Sequence, residues 1–262
     1  MINIKSYGSG SQGNFYYLTT THNNNTKIIL ECGLDIETIK NIFSKENVLI
    51  SDINACITSH HHIDHSCSIN FFQEYNIPIF CTNETCDRYN MLYGQFNMPH
   101  ILKNYKMFKI EELVFLPFNV EHGNAECFGF VIFDTIDNDA MLFITDFSNC
   151  RQNFNKYKIR QIYIECNYID DNLENAILSD KNETNENNDF FSKKIKHQRQ
   201  LNTHMSLKNL VEILRNINLS YCDEINLIHI SEELGNRELM KQTIIEEFGV
   251  NCYTLLSNGD KI

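Results

Sequence analysis

His60-His61-His62-Ile63-Asp64-His65 places five metal-competent side chains within six consecutive residues, and the reading of this block decides the fold. The run before it, residues 53–58 (INACIT), is apolar and carries no turn former, the pattern of a buried strand. After it, Ser66 offers a helix N-cap and an amphipathic stretch follows through Tyr75, so the block is expected to be a strand-to-helix loop. Side chains two apart in extended backbone point the same way, so His60, His62 and Asp64 converge while His65 follows at the turn. Imidazole nitrogens with one carboxylate are the donors that borderline divalent metals such as zinc prefer. A histidine cluster can be a mere surface tract, but the Asp inside this one and its tight apolar flanks favour a metal site.

The remaining organisation is read outward from that block. Residues 2–7 and 15–18 alternate apolar and polar side chains, and 27–32 is another strand candidate. Between the first two lies Gly8-Ser9-Gly10-Ser11-Gln12-Gly13, which spells GxGxxG. A dinucleotide fingerprint needs a helix after the third glycine, whereas Asn14-Phe15-Tyr16-Tyr17-Leu18 is β-prone; the motif is read as a hairpin loop near the active site. Ile36, Ile39 and Phe43 mark a helical face, and residues 82–93 read as helix. Strands are expected at 113–120, 128–133, 141–145 and 161–165, with a last strand at 225–230. Helices are expected at 206–217 and at 236–248, the latter closed by Gly249. The segment 180–189 (DKNETNENND) is polar and reads as a loop. Directly after it Lys193, Lys194, Lys196, His197 and Arg199 form a basic cluster, either a solvated face or one turned toward phosphate.

Composition narrows the function class. The chain has 262 residues, 42% hydrophobic and 21% charged, an ordinary globule with no long apolar run and no apolar segment behind a basic N-terminal region. A membrane or secreted protein is not expected. Ten cysteines are scattered singly with no CxxC pair, which reads as reduced thiols in a cytoplasmic protein. A formal net charge of −12 opposes binding of a long polyanion and favours a small substrate.

Further polar residues recur where apolar strands end: His122 after LVFLPFNVE, Asp146 after MLFIT, Glu165 after QIYI, and His229 closing INLIH. Each alone has a structural explanation as a loop cap or rim residue; their joint occurrence with the histidine block points to one site. The order strand–HxHxDH–helix, lone His, Asp, late His resembles the metallo-β-lactamase superfamily over essentially the whole chain. The match looks closest to its phosphodiesterase branch, the WalJ/YycJ-like and tRNase Z-like proteins. Gly8–Asn14 (GSGSQGN) is similar to the opening loop of the WalJ/YycJ type, and Ile164-Glu165-Cys166-Asn167 resembles its Glu-containing segment. Thr203-His204-Met205-Ser206 and Leu227-Ile228-His229-Ile230-Ser231 resemble the later motifs of both groups. Tyr168, where the WalJ/YycJ type has a His, and the polar insertion around 180–200 are departures.

The resemblance implies an α/β fold, an αββα sandwich of two mixed sheets with helices on both outer faces, as one domain over residues 1–262. It implies two divalent metal ions, zinc first, with manganese or iron accepted by the same donors. His60, His62 and His122 would hold the first, Asp64, His65 and His229 the second, and Asp146 would bridge them. Asp64, Glu165 and His204 would be catalytic, the last two as a dyad outside the metals; His61 is unassigned. Two metals lower the pKa of a bridging water and clamp phosphoryl oxygens, and His204 oriented by Glu165 is suited to protonate the leaving alkoxide. A strict β-lactamase or a glyoxalase-type thioesterase leaves that dyad unexplained, and a silent binding module has no need of seven ligand positions. Phage anti-Pycsar enzymes, which destroy cyclic mononucleotide immune signals, share this branch. The expected function is therefore a metal-dependent phosphodiesterase acting on a small phosphodiester such as a cyclic nucleotide, with a WalJ/YycJ-like DNA exonuclease as the alternative. The chain shows no basic Gly/Pro-rich arm for tRNA, and relatives imply a homodimer.

Overall fold

Ile28-Ile29-Leu30 and Ala55-Cys56-Ile57 are short runs without a polar residue, and such runs form strands only where both faces are covered. In a computed structural model, which describes residues 2–22, 26–182, 188–256 and 258–262 (180–182 and 188–194 by backbone alone), both runs are buried strands at the centre of a sheet. That sheet has the order β1 (Ile2–Gly8), β2 (Phe15–Thr20), β3 (Lys27–Leu30), β4 (Ala55–Ile57), β5 (Ile79–Cys81) and β6 (His100–Ile101). Its first three strands are antiparallel neighbours, and β3 to β6 are parallel. The second sheet comprises β7 (Phe108–Ile110), β8 (Leu113–His122), β9 (Ala125–Asp134), β10 (Asp139–Ile144), β11 (Ile159–Glu165), β12 (Glu224–Ile228) and β13 (Asn251–Thr254), hydrogen-bonded in chain order. It is antiparallel from β7 to β10 and parallel from β10 to β13.

The two-residue period of the strands sorts side chains into three apolar layers. Tyr16, Leu18, Ile28, Leu30 and Ile57 meet Phe128, Phe130, Met141 and Phe143 between the sheets. Phe15, Tyr17, Ile29 and Cys56, one residue out of phase, face α1 (Ile36–Lys45), α3 (Ile69–Glu74) and α4 (Asn83–Tyr93). Leu142, Ile144, Ile162, Ile164 and Leu227 pack on the other side against α7 (Leu207–Arg215) and α8 (Arg237–Phe248). The expected αββα sandwich of two mixed sheets is what the chain forms. Among the described residues no helix is long and apolar enough to cross a membrane.

Several local expectations are corrected. Ser66 is no N-cap: it is the last residue of the one-turn helix α2 (Ile63–Ser66), entered from extended backbone at His62, and its hydroxyl donates to the carbonyls of His61 (3.1 Å) and His62 (3.0 Å). The stretch to Tyr75 is consequently broken into α2 and α3. The strand at 225–230 is not the last, since β13 follows it. The segment 180–189 lies partly outside the described residues, but its described ends are helical, in α5 (Asp170–Asn182) and α6 (Asn188–Thr203), so the supposed insertion around 180–200 contains most of a regular helix.

The exit of β3 is stitched to the histidine block by backbone bonds: Cys32 N–H to His65 O (2.8 Å), Asn14 N–H to Asp64 O (2.8 Å), and Gly33 N–H to Asn14 O (2.9 Å). This closeness admits no side chain at Gly33, where a Cβ would lie 1.7 Å from the Asp64 carbonyl oxygen. Gly33→Ala is expected to displace the Asp64 backbone, lowering unfolding stability by about 2 kcal/mol and reducing bound metal together. Denaturant unfolding and metal analysis of the purified variant check it; an unaltered metal content would contradict the coupling.

Candidate metal centre

The strand directions explain why scattered residues meet. β8 and β10 are both antiparallel to β9, and β10, β11 and β12 are mutually parallel, so all four end at one edge of their sheet. Those ends deliver His122, Asp146, Glu165 and His229, and the opposing sheet delivers the histidine block from the end of β4. Crevices beyond the carboxyl ends of parallel strands are the usual place for sites in such sheets.

Two groups of donors form there, each with one ligand atom per residue within 4.8 Å of the others: His60, His62, His122 and Asp146, and Asp64, His65, Asp146 and His229. A third, overlapping group joins Asp146, Glu165, His204 and His229. Asp146 reaches both of the first two, with Oδ2 3.7 Å from His122 Nε2 and Oδ1 3.2 Å from His65 Nε2. All nine site residues expected from the sequence lie in this one cluster. His61 turns away, its Nδ1 3.0 Å from Glu84 on α4.

The donors fit a cation. His122 Nδ1 lies 2.6 Å from the Thr203 carbonyl, an acceptor only, so Nδ1 carries the proton and Nε2 presents its lone pair to the cluster. His62 Nδ1 is 2.9 Å from His60 Nε2 and 3.1 Å from His122 Nε2, a convergence of three ring nitrogens that suits one shared metal ion. Burial pushes His62 down to about 4 and holds His60 and His122 below the usual imidazole value, keeping them neutral, as metal ligands must be. In the second group burial opposes charge, but Asp146 outweighs it and raises His229 to about 10. Burial likewise opposes charge at His65, and Asp146 and Asp64 outweigh it there. Among the described residues the buried His229 Nε2 has no hydrogen-bond partner.

Four supporting residues escaped the sequence reading. Glu31, 1% exposed, sets Oε2 3.2 Å from His65 Nδ1 and accepts from Ser59 N–H at 3.1 Å, so it orients a ligand from behind. The signal was present: Leu30-Glu31-Cys32 repeats the strand-end pattern of Ile164-Glu165-Cys166. Ser9 accepts from His229 N–H (3.0 Å), which gives the glycine loop its role. Asn167 donates to the His229 carbonyl (2.8 Å) and accepts from Gln200 (3.2 Å). Asn167 stood inside the quoted Ile164–Asn167 motif without a role of its own, and Gln200 carried no signal, because side-chain amides are common everywhere.

Glu165 is fully buried and holds both neighbouring imidazoles. Its Oε1 lies 2.6 Å from His204 Nδ1 and 2.9 Å from His229 Nδ1, while Oε2 accepts from the backbone N–H of Phe147 (2.8 Å) and Met205 (3.2 Å). Burial pushes this carboxyl up, but His204 and His229 outweigh it and hold it below the usual range. A cavity of about 550 Å³ opens over the cluster, lined by His62, Asp64, Asp146, His204 and His229 together with one face of α6.

A family model described as the beta-lactamase superfamily domain matches residues 26–230. Among solved structures, the metallo-β-lactamase fold protein YhfI from Bacillus subtilis is 14% identical over 100% of this chain and 99% of its own, with a TM-score of 0.70. Unliganded yeast PDE1 is 12% identical over 98% of both chains, TM-score 0.67. A diphosphatase from the PhnP family is 14% identical over 100% of this chain and 97% of its own, TM-score 0.64. At these identities the likeness is one of fold. No curated protein matches the sequence.

A divalent cation and the ring protons of His65 and His229 compete for the same nitrogens. Affinity of that group is therefore expected to rise with pH between about 6 and 8, with proton release on binding. Titration calorimetry in buffers of different ionisation enthalpy measures it, and pH-independent binding without proton release contradicts it. Glu31→Gln should weaken the same group about 10–100-fold and spare the first, as read by stepwise metal titration; equal loss at both groups would point to general unfolding.

Proposed function

The chain belongs to the beta-lactamase superfamily, and on that footing we propose that it is a metal-dependent phosphodiesterase hydrolysing a small phosphodiester, with cyclic nucleotides as the substrate class. The observation that carries this reading is the Glu165–His204 pair, set beside two donor groups that share Asp146. In it His60, His62 and His122 hold one ion, Asp64, His65 and His229 a second, with zinc the first choice for such donors. When bound, such ions supply positive charge for the phosphoryl oxygens and a nucleophilic water near neutral pH.

What the chain's own residues add is a proton and its placement. Cleavage of a phosphodiester expels an alkoxide that needs protonation. Glu165 accepts from His204 Nδ1, which turns Nε2 toward the cavity; the side chain keeps 14% of its surface exposed there. His204 Nε2 gives its proton to the leaving oxygen, and the fixed carboxylate of Glu165 holds the ring in place for that transfer. The His204 ring stacks on that of His229 at 5.2 Å between centroids and 21° between planes, so the acid is held in register with a metal ligand. The diphosphatase among the fold neighbours supports phosphorus–oxygen chemistry on this scaffold. Lys196 and Arg199 on the cavity wall favour a second reading, a DNA exonuclease.

The test presents the metal-loaded protein with matched panels of cyclic mononucleotides and single-stranded DNA. Turnover of the cyclic nucleotides is expected, abolished in Asp64→Ala. His204→Ala should retain its metal and lose about 10²–10⁴-fold in kcat. Degradation of DNA alone would install the second reading, and an unchanged rate in His204→Ala would remove the acid.

A further inference from the structure

Lys196, Arg199, Gln200, Thr203 and His204 all line the cavity, and their spacing is that of one helical face. From His204 at the reacting end, Arg199 lies about 7–8 Å and Lys196 about 12 Å back along the α6 axis. The charges on this wall are not equivalent. Lys196 Nζ is 2.8 Å from Glu233 Oε2, and Glu233 Oε1 is 3.4 Å from His197 Nε2, so the lysine charge is cancelled across the cavity lip. Glu232, the other acid of that lip, is held by Arg237 at 2.7 Å. Arg199 is exposed and has no ion pair among the described residues. Among the described side chains of the wall its guanidinium is thus the uncompensated cation, in a chain of net charge −12.

We propose that Arg199 captures the anionic diester of the substrate, and that Glu233, by cancelling Lys196, leaves a single uncompensated guanidinium among the described side chains of the wall, so that the site takes a small phosphodiester in preference to a nucleic-acid strand. This rests on the phosphodiesterase reading and deepens it by naming the residues that set substrate size. A guanidinium fork matches two phosphoryl oxygens at once, which a lysine does not. Strand binding draws on several unpaired cations, each adding to the salt dependence; one cation serves one phosphate. The Lys196–Glu233 pair is half exposed on both sides and adds little to stability, so its removal alters charge and leaves the fold intact.

The experiment measures kinetics on bis(p-nitrophenyl) phosphate and a cyclic mononucleotide, and binding of a fluorescent single-stranded oligonucleotide across a salt series. Arg199→Ala is expected to raise KM about tenfold on both diesters with kcat kept, and Arg199→Lys to recover part of it. Glu233→Gln is expected to tighten oligonucleotide binding and steepen its log–log salt slope by about 0.7. If the wild type turns over diesters and Arg199→Ala leaves KM unchanged, the capture role falls while the phosphodiesterase reading stands. Unaltered oligonucleotide binding in Glu233→Gln, or a wild-type slope already matching several phosphates, overturns the masking role. If the wild type hydrolyses no diester at all, the reading itself fails and takes this proposal with it.

Discussion

Asp146 is the side chain on which the rest of the site depends. It is 2% exposed, and its two oxygens divide between the two donor groups. A carboxylate so buried is tolerable only when compensated, since removing a lone charge from water costs several kcal/mol. Compensation comes from His229 and His65, which reach it from a strand end and from the histidine block. Thr145 donates a further hydrogen bond to Oδ1 at 2.9 Å. The sandwich can be seen as the scaffold that holds these elements at one edge.

Holding them there requires abrupt exits from strands. Glu31, Asp146 and His229 all follow a strand and all have left-handed backbone, at φ 62, 32 and 51°. Side chains other than glycine enter this region at a cost, and they persist in it when the surroundings over-determine them. Here the parallel ladders fix the strand before each turn, and the carboxylate–imidazole contacts fix the side chain after it. The strain aims each functional group into the seam between sheets instead of along its own strand. Gly33 belongs to the same design, giving up a side chain so that the β3 exit can touch the loop carrying Asp64.

Much of this was legible in the sequence. Apolar runs ending in His, Asp or Glu mark where the sheet edge lies, whereas residues 15–18, read as alternating apolar and polar, are buried on both faces, Tyr16 and Leu18 between the sheets and Phe15 and Tyr17 under the helices. The strands β5, β6 and β7 were not legible, being two or three residues long and too short for any period to register. Ser66 misled because a capping residue type says nothing about where the chain turns; His62 sets that point through its own extended backbone. Helix α6 was concealed by its composition, for its polar stripe lines an open cavity where an ordinary amphipathic helix would face a core. Glu31 was within reach, since its strand-end cue matches that of Glu165, but only the fold shows that it stands behind His65.

In the proposed reaction His204 delivers a proton to the leaving oxygen. The most direct measurement compares wild type and His204→Ala on two diesters, one expelling a nitrophenolate and one a ribose alkoxide. A nitrophenolate leaves without protonation, so the account predicts a loss of about 10²–10⁴-fold for the alkoxide and little for the nitrophenolate. Equal losses on both would contradict it and reduce His204 to a structural partner of Glu165.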